Sequence, residues 1–162
     1  MHHRKHLIGV ISDTHGWVDP TVAGHFKGVD HILHAGDIGN LAVLSQLKGI
    51  APMTAVRGNI DEGIGSTALN VEENFSLFGI AFFMIHILGN PERLPQSLRM
   101  KVNQLAPAVV IFGHTHQSYL RKLGGVLYLN PGSAGPKRFS LPRSIGLLAV
   151  ADGEVEANII MI

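Results

Sequence analysis

Five short apolar runs in this chain each stop at a residue able to bind a cation, and that recurrence constrains the fold more than any other feature. Leu7 to Ser12 runs into Asp13-Thr14-His15, His31 to His34 into Ala35-Gly36-Asp37, and Pro52 to Val56 into Arg57-Gly58-Asn59. Ile80 to Ile85 ends at His86, and Ala108 to Phe112 at Gly113-His114-Thr115-His116. Short apolar runs without polar alternation read as strands buried on both faces, the kind found where helices cover a parallel sheet. Helices are expected between the first three. Asp19-Pro20 offers a cap and a proline at the first helical position, with the helix continuing through Lys27 to a stop at Gly28. Asn40 caps a stripe of Leu41, Val43, Leu44 and Leu47 that Gly49 ends. An α/β fold follows, and such sheets assemble their sites at the carboxyl ends of the strands.

The remaining segments add strands and turns. Glu62 to Thr67 is glycine-rich and reads as a loop, while Asn70 to Leu77 and Ile80 to Ile85 form a hairpin across Phe78-Gly79. Glu92 to Ala106 reads as a helix with Pro95 in its first turn, stopped by Pro107. Val126 to Leu129 is a strand ended by Asn130-Pro131-Gly132-Ser133, and Ile145 to Ala151 pairs with Val155 to Ile160 across Asp152-Gly153. At 162 residues the expectation is a single domain spanning 1–162. The formal charge of +1 supplies no global pull toward nucleic acid or an anionic membrane. No run approaches a membrane span, and Leu7 to Ile11 is shorter than a signal-peptide core, so a cytoplasmic location is expected. His2 and His3 read as solvated terminal residues.

With no cysteine, metal binding falls to His, Asp and Asn. The strand ends supply two carboxylates, four imidazoles and an amide oxygen, enough for two divalent ions if one carboxylate bridges them. Such a centre keeps a net positive charge and wants a phosphate. The series Asp13-Thr14-His15, Gly36-Asp37, Gly58-Asn59-Ile60-Asp61 and Gly113-His114-Thr115-His116, followed by Asn130-Pro131-Gly132-Ser133, resembles the calcineurin-like metallophosphoesterases, in particular their small bacterial and archaeal phosphodiesterase branch. The resemblance runs from about residue 7 to 150. It implies a four-layer α/β/β/α sandwich of two mixed sheets flanked by helices. It also implies one ion held by Asp13, His15, Asp37 and His116 and a second by Asp37, Asn59, His86 and His114, with Asp37 as the bridge. Asp37, Asn59 and His114 are the residues expected to carry catalysis. The expected cofactors are two divalent ions, manganese first, with iron, zinc or nickel as alternatives. The implied reaction is hydrolysis of a small phosphate ester by in-line attack of a hydroxide shared between the ions. Nucleic acid is expected only as a nucleotide-type substrate, and self-association is left open.

Two positions depart from the family pattern. Ile60 stands where related enzymes often carry a histidine thought to protonate the leaving oxygen, and His86 is followed by Ile87-Leu88 rather than glycine. The first departure leaves room for an alternative, a non-catalytic interaction scaffold on the same fold, as in a membrane-trafficking coat subunit that the family also resembles. Several further residues are candidates for supporting roles. His34 is placed to orient a ligand, Arg57 and Arg138 to meet a substrate phosphate, and Asp61 to stand behind the ligands, whereas His25 and His31 read as structural or surface residues.

Overall fold

The computed structural model describes residues 4–63 and 69–162. Of the glycine-rich stretch Glu62 to Thr67 expected as a loop, residues 64–67 lie outside the described residues. In chain order the elements are β1 (His6–Ile11), α1 (Thr21–His25), β2 (His31–His34), α2 (Leu41–Lys48), β3 (Met53–Ala55), β4 (Glu72–Leu77), β5 (Ile80–Ile85), α3 (Gln96–Leu105), β6 (Val109–Ile111), β7 (Tyr119–Leu123), β8 (Val126–Asn130), β9 (Ser144–Ala151) and β10 (Glu154–Met161). They form two five-stranded sheets, ordered β10-β9-β1-β2-β3 and β4-β5-β6-β8-β7. Within the first, β1, β2 and β3 are parallel, and within the second β5, β6 and β8 are parallel. Antiparallel partners complete both, β9 and β10 on one side of β1, and β4 and β7 at the two edges of the other sheet.

Alternation along the strands makes the four layers. Ile8 and Val10 of β1 and Leu33 of β2 face Phe82, Met84, Val109, Ile111 and Leu129 of the opposite sheet, forming the core between the sheets. Ile11 and Ile32 face the other way, onto Val22, Phe26, Val43, Leu44 and Leu47 of the α1 and α2 layer. Phe83, Ile85 and Val110 turn outward onto Val102 of α3. Each fully buried aromatic or branched side chain stabilises the fold by about 1.5–3 kcal/mol through surface removed from water. The sandwich is therefore the α/β/β/α arrangement, and the parallel strands of both sheets deliver their carboxyl ends to one edge.

Three local expectations change. α1 stops at His25, short of Lys27, because Phe26 leaves the helix to bury its ring and the chain must turn back into β2. Its N-cap is Pro20 rather than Asp19, although the Asp19 carboxylate accepts from the Thr21 N–H at 2.8 Å. Pro95 does not sit inside a helix that begins at Glu92. It forces Leu94 into an extended conformation, so a separate 3-10 turn, Pro91–Arg93, precedes α3 and Pro95 stands at its N-cap. β7 was not anticipated, since Tyr119–Leu123 is a largely polar edge strand; it pairs with β8 across Gly124-Gly125.

Candidate metal centre

The loops that follow β1, β2 and β6 turn within one or two residues of the strand, and the turning residues are the ones expected to bind. Asp13, His15, Asp37, His114 and His116 all adopt positive φ, between 47° and 74°, a left-handed conformation that side chains other than glycine rarely take. Strain of this kind concentrates at functional sites because the surroundings must hold it. Two glycines make the close approach of the loops feasible. A Cβ on Gly58 would lie 2.1 Å from both the backbone nitrogen and the carboxylate of Asp37, and one on Gly113 would lie 2.1 Å from Ser12 Oγ.

The loops gather two groups of donor atoms. Asp13, His15 and His116 form one, and Asp37, His86 and His114 the other. In the first, His15 Nε2 lies 3.2 Å from His116 Nε2, and His116 Nε2 lies 3.3 Å from Asp13 Oδ1. In the second, His86 Nε2 lies 3.3 Å from Asp37 Oδ1, and Asn59 Oδ1 lies 3.1 Å from both His86 Nε2 and His114 Nδ1. Asp37 spans them, its Oδ2 turned to His15 Nε2 at 3.7 Å while its Oδ1 faces His86. All seven residues singled out in the sequence, Asn59 included, are thus brought together.

Hydrogen bonds behind these atoms decide what they can hold. Asp13 Oδ2 accepts from Ser12 Oγ at 2.7 Å and from the His114 N–H at 3.1 Å. Its Oδ1 is buried and has no hydrogen-bond partner, an arrangement that costs free energy unless a cation or donor meets it. His86 donates from Nδ1 to the Ala35 carbonyl at 2.7 Å, so the neutral ring turns a lone pair on Nε2 toward Asn59 Oδ1 and Asp37. Acceptors then converge with no proton between them, which is the chemistry of a cation site. The titration of His86 sets burial against the negative charge gathered around it, which favours a positive charge at the ring. Burial works against its charged form, but the contact with Asp37 and the charges of Asp13 and Asp37 outweigh burial and raise its pKa. Asp37 is likewise opposed by burial yet held below the usual carboxylate range by His86 and by the Ile60 N–H, which donates to Oδ1 at 3.1 Å. His15 is lowered, first by burial and next by the positive charge of Arg138.

The surrounding residues take clear positions. Asp61 is fully buried and accepts from the N–H groups of Ile38, Gly39 and Gly58 at 2.8–3.1 Å, tying the Asp37 loop to the Asn59 loop. Asn130 donates to the Gly113 carbonyl at 3.0 Å and so holds the His114-Thr115-His116 turn. The sequence marks Asn130 as a strand end and as the start of the Asn130-Pro131-Gly132-Ser133 motif but gives it no role at the site; an asparagine closing a β-strand opposite a glycine-histidine turn is the signal for that role. His34 does not touch a ligand side chain. It accepts from the Gly36 N–H at Nδ1 and meets Thr14 Oγ1 at Nε2, fully buried, with its pKa lowered by burial to about 4. Ile60 is 43 % exposed at the rim. Next to it a recess of about 370 Å³ is lined by Arg57, Asn59, Glu62, Val71, His86 and Ile87. His31 meets Thr54 at 2.9 Å, away from the centre.

A sandwich whose parallel strand ends carry two adjoining carboxylate and imidazole groups defines a metallohydrolase-type scaffold. Residues 7–153 match the model of the calcineurin-like phosphoesterase superfamily domain, and the chain belongs to that family. A protein named probable metallophosphoesterase from Methanothermobacter thermautotrophicus is 36% identical, over 95% of this chain and 91% of that protein. Phosphodiesterase MJ0936 from Methanocaldococcus jannaschii is 27% identical, over 87% of this chain and 91% of that one. Among solved structures, Vacuolar Protein Sorting 29 from Cryptosporidium parvum superposes with a TM-score of 0.76 at 20% identity, covering 98% of each chain, a likeness of fold alone. The family implies divalent metal ions, and the donor set here fits them: an orphaned buried carboxylate oxygen faces three imidazoles, and one imidazole is already set in the ligating tautomer. Among the described residues no helix is long and apolar enough to cross a membrane.

Proposed function

We propose that this chain, acting as one domain over residues 1–162, is a phosphodiesterase that works with two divalent ions on a small phosphate ester. The observation that carries the reading is Asp37, whose two carboxylate oxygens face the two groups. One ion would be held by Asp13, His15, Asp37 and His116, the other by Asp37, Asn59, His86 and His114. Bound there, the ions would supply Lewis acidity, offsetting charge that builds on the phosphoryl oxygens and making water acidic enough to attack near neutral pH. The chain's own part is to hold the geometry. Ser12 and the His114 N–H aim Asp13, the Ile60 N–H aims Asp37, and Ala35 fixes the His86 ring. His114 is exposed and stands at the mouth of the site with Asn59, where a phosphoryl group would enter. Four imidazoles favour manganese or another first-row ion over magnesium, which prefers an all-oxygen shell.

Ile60 has no proton to give, and His34, fully buried with its pKa lowered to about 4, is unable to serve. The reading therefore expects rates that depend steeply on leaving-group acidity, because general acid catalysis is worth roughly a hundred- to ten-thousandfold for poor leaving groups. The test is hydrolysis of aryl and alkyl phosphodiesters after exhaustive chelation and after adding back manganese or magnesium. Aryl diester hydrolysis restored by manganese, weakly by magnesium, is the expected result; turnover undiminished in metal-free protein contradicts the reading. The second reading, a non-catalytic scaffold, draws on Ile60 and on the exposed Val71 and Ile87 beside it. It predicts bound metal with no hydrolysis of any ester.

A further inference from the structure

The loop after β8 carries a cation to the centre that the ligand scheme does not use. Its course is set by close packing: Ser133 Oγ donates to the Asp13 carbonyl at 2.9 Å and the Ala134 N–H to the Ser12 carbonyl at 3.1 Å. The chain thus runs flush against the residues preceding His15, and it delivers Arg138 Nη2 to within 3.3 Å of His15 Nδ1. Arg143, further along the same loop, is occupied by Asp19 at 2.8 Å and lies over the Trp17 ring. Arg138 has no carboxylate partner among the described residues, and it is exposed.

The contact between Arg138 and His15 has a direction. A guanidinium has only donors, and this one meets the Nδ1 edge of the ring, while Nε2 faces His116 and Asp37. A divalent ion held by Nε2 would share the ring with the Arg138 charge, and like charges so close oppose one another. His86 shows the opposite arrangement, with the Ala35 carbonyl accepting from Nδ1.

We propose that Arg138 is a specificity-determining residue for the substrate phosphoryl group, a cation beside the first group that opposes the ion there and attracts the incoming anion. The inference rests on the two-ion phosphoesterase reading above. It gives Arg138 two effects of opposite sign. Without an anion the guanidinium opposes the first-group ion, an effect of up to about fivefold for an exposed charge. With the ion in place it strengthens anion binding by roughly 10- to 100-fold, the worth of a charge-assisted hydrogen bond.

The test titrates manganese into the metal-free full chain, reading free ion by electron paramagnetic resonance, and then titrates inorganic phosphate into the loaded protein. Arg138→Gln is compared with wild type, with Arg138→Lys, and with Arg99→Gln, which removes the same charge from exposed α3. Arg138→Gln is expected to bind manganese up to about fivefold more tightly and phosphate roughly 10- to 100-fold more weakly, with the lysine variant between. Arg99→Gln should match wild type in both. If Arg138→Gln behaves like Arg99→Gln, or loses both affinities together, the inference is overturned, the second outcome marking a loop that merely needs its arginine. A wild-type chain that binds no manganese overturns the metal centre itself, whereas one that binds manganese and lacks the opposite signs overturns this inference alone.

Discussion

The two halves of the centre are built to different standards. Around His86 everything is set before an ion arrives: the ring is 2% exposed, the Ala35 carbonyl fixes its tautomer, and Asp61 ties the Asp37 and Asn59 loops together. Around His15 the ring is lowered in proton affinity by burial and by Arg138, and it is a guanidinium rather than a carbonyl that stands 3.3 Å from its Nδ1. The donor types are nearly the same, one carboxylate and two imidazoles in each group. What differs is the hydrogen bond behind each ligand, and outer partners of this kind change metal affinity by about 10- to 100-fold. On the two-ion reading the comparison predicts a tight and a loose position without a change of ligand type.

The largest effect that would break this comparison comes from the ligands themselves. Manganese titration followed by calorimetry should show a tight and a weaker class in the wild type. His86→Ala should abolish the tight class, weakening it by more than about 100-fold, while His15→Ala should remove the weaker class and leave the tight one within about threefold. Loss of the tight class in His15→Ala instead would invert the assignment. Next comes Asp61→Ala, which strands three buried N–H groups that now donate to its carboxylate. It should cost about 3 kcal/mol in urea unfolding and weaken the tight class by about 10-fold, sparing the other. Equal weakening of both classes would mean that Asp61 braces the whole edge.

The smallest effect is on acid stability. His34 is neutral in the fold with a pKa lowered from 6.5 to about 4, so the unfolded chain takes up the proton first. Its contribution is complete above pH 6.5 and is lost as pH falls from 6.5 toward 4, roughly 3 kcal/mol at most. Urea midpoints of metal-free protein across that window should fall less steeply for His34→Asn, which keeps an acceptor near the Nδ1 position. An unchanged slope would show that the metal-site histidines alone govern acid sensitivity.

Much of this centre was legible before any coordinates. Buried strands announce themselves as unbroken apolar runs, and Asp13, Asp37, His86 and His114 are the first polar residues to follow their runs, with Asn59 just beyond Arg57 after another, so the sheets had to bring them to one edge. The hairpin of β9 and β10 was equally plain, because Asp152-Gly153 demands a tight turn. β7 was not, since an edge strand with exposed Arg121 and Lys122 lacks the burial that writes a pattern. The difference between the two halves was also illegible. It depends on which nitrogen of His15 and His86 meets a donor or an acceptor, and Arg138 and Ala35 reach those rings from loops more than fifty residues distant or from another strand's end. Spacing reports which side chains share an edge; tautomers depend on three-dimensional neighbours.

The two-ion reading rests most directly on Asp37, whose Oδ2 is turned to His15 of one group and whose Oδ1 is turned to His86 of the other. Wild type and Asp37→Ala, loaded with manganese, desalted, and matched by circular dichroism, should be compared for metal content by plasma mass spectrometry. Two equivalents in the wild type and less than one in the variant is the predicted result; two full equivalents retained by Asp37→Ala would contradict it.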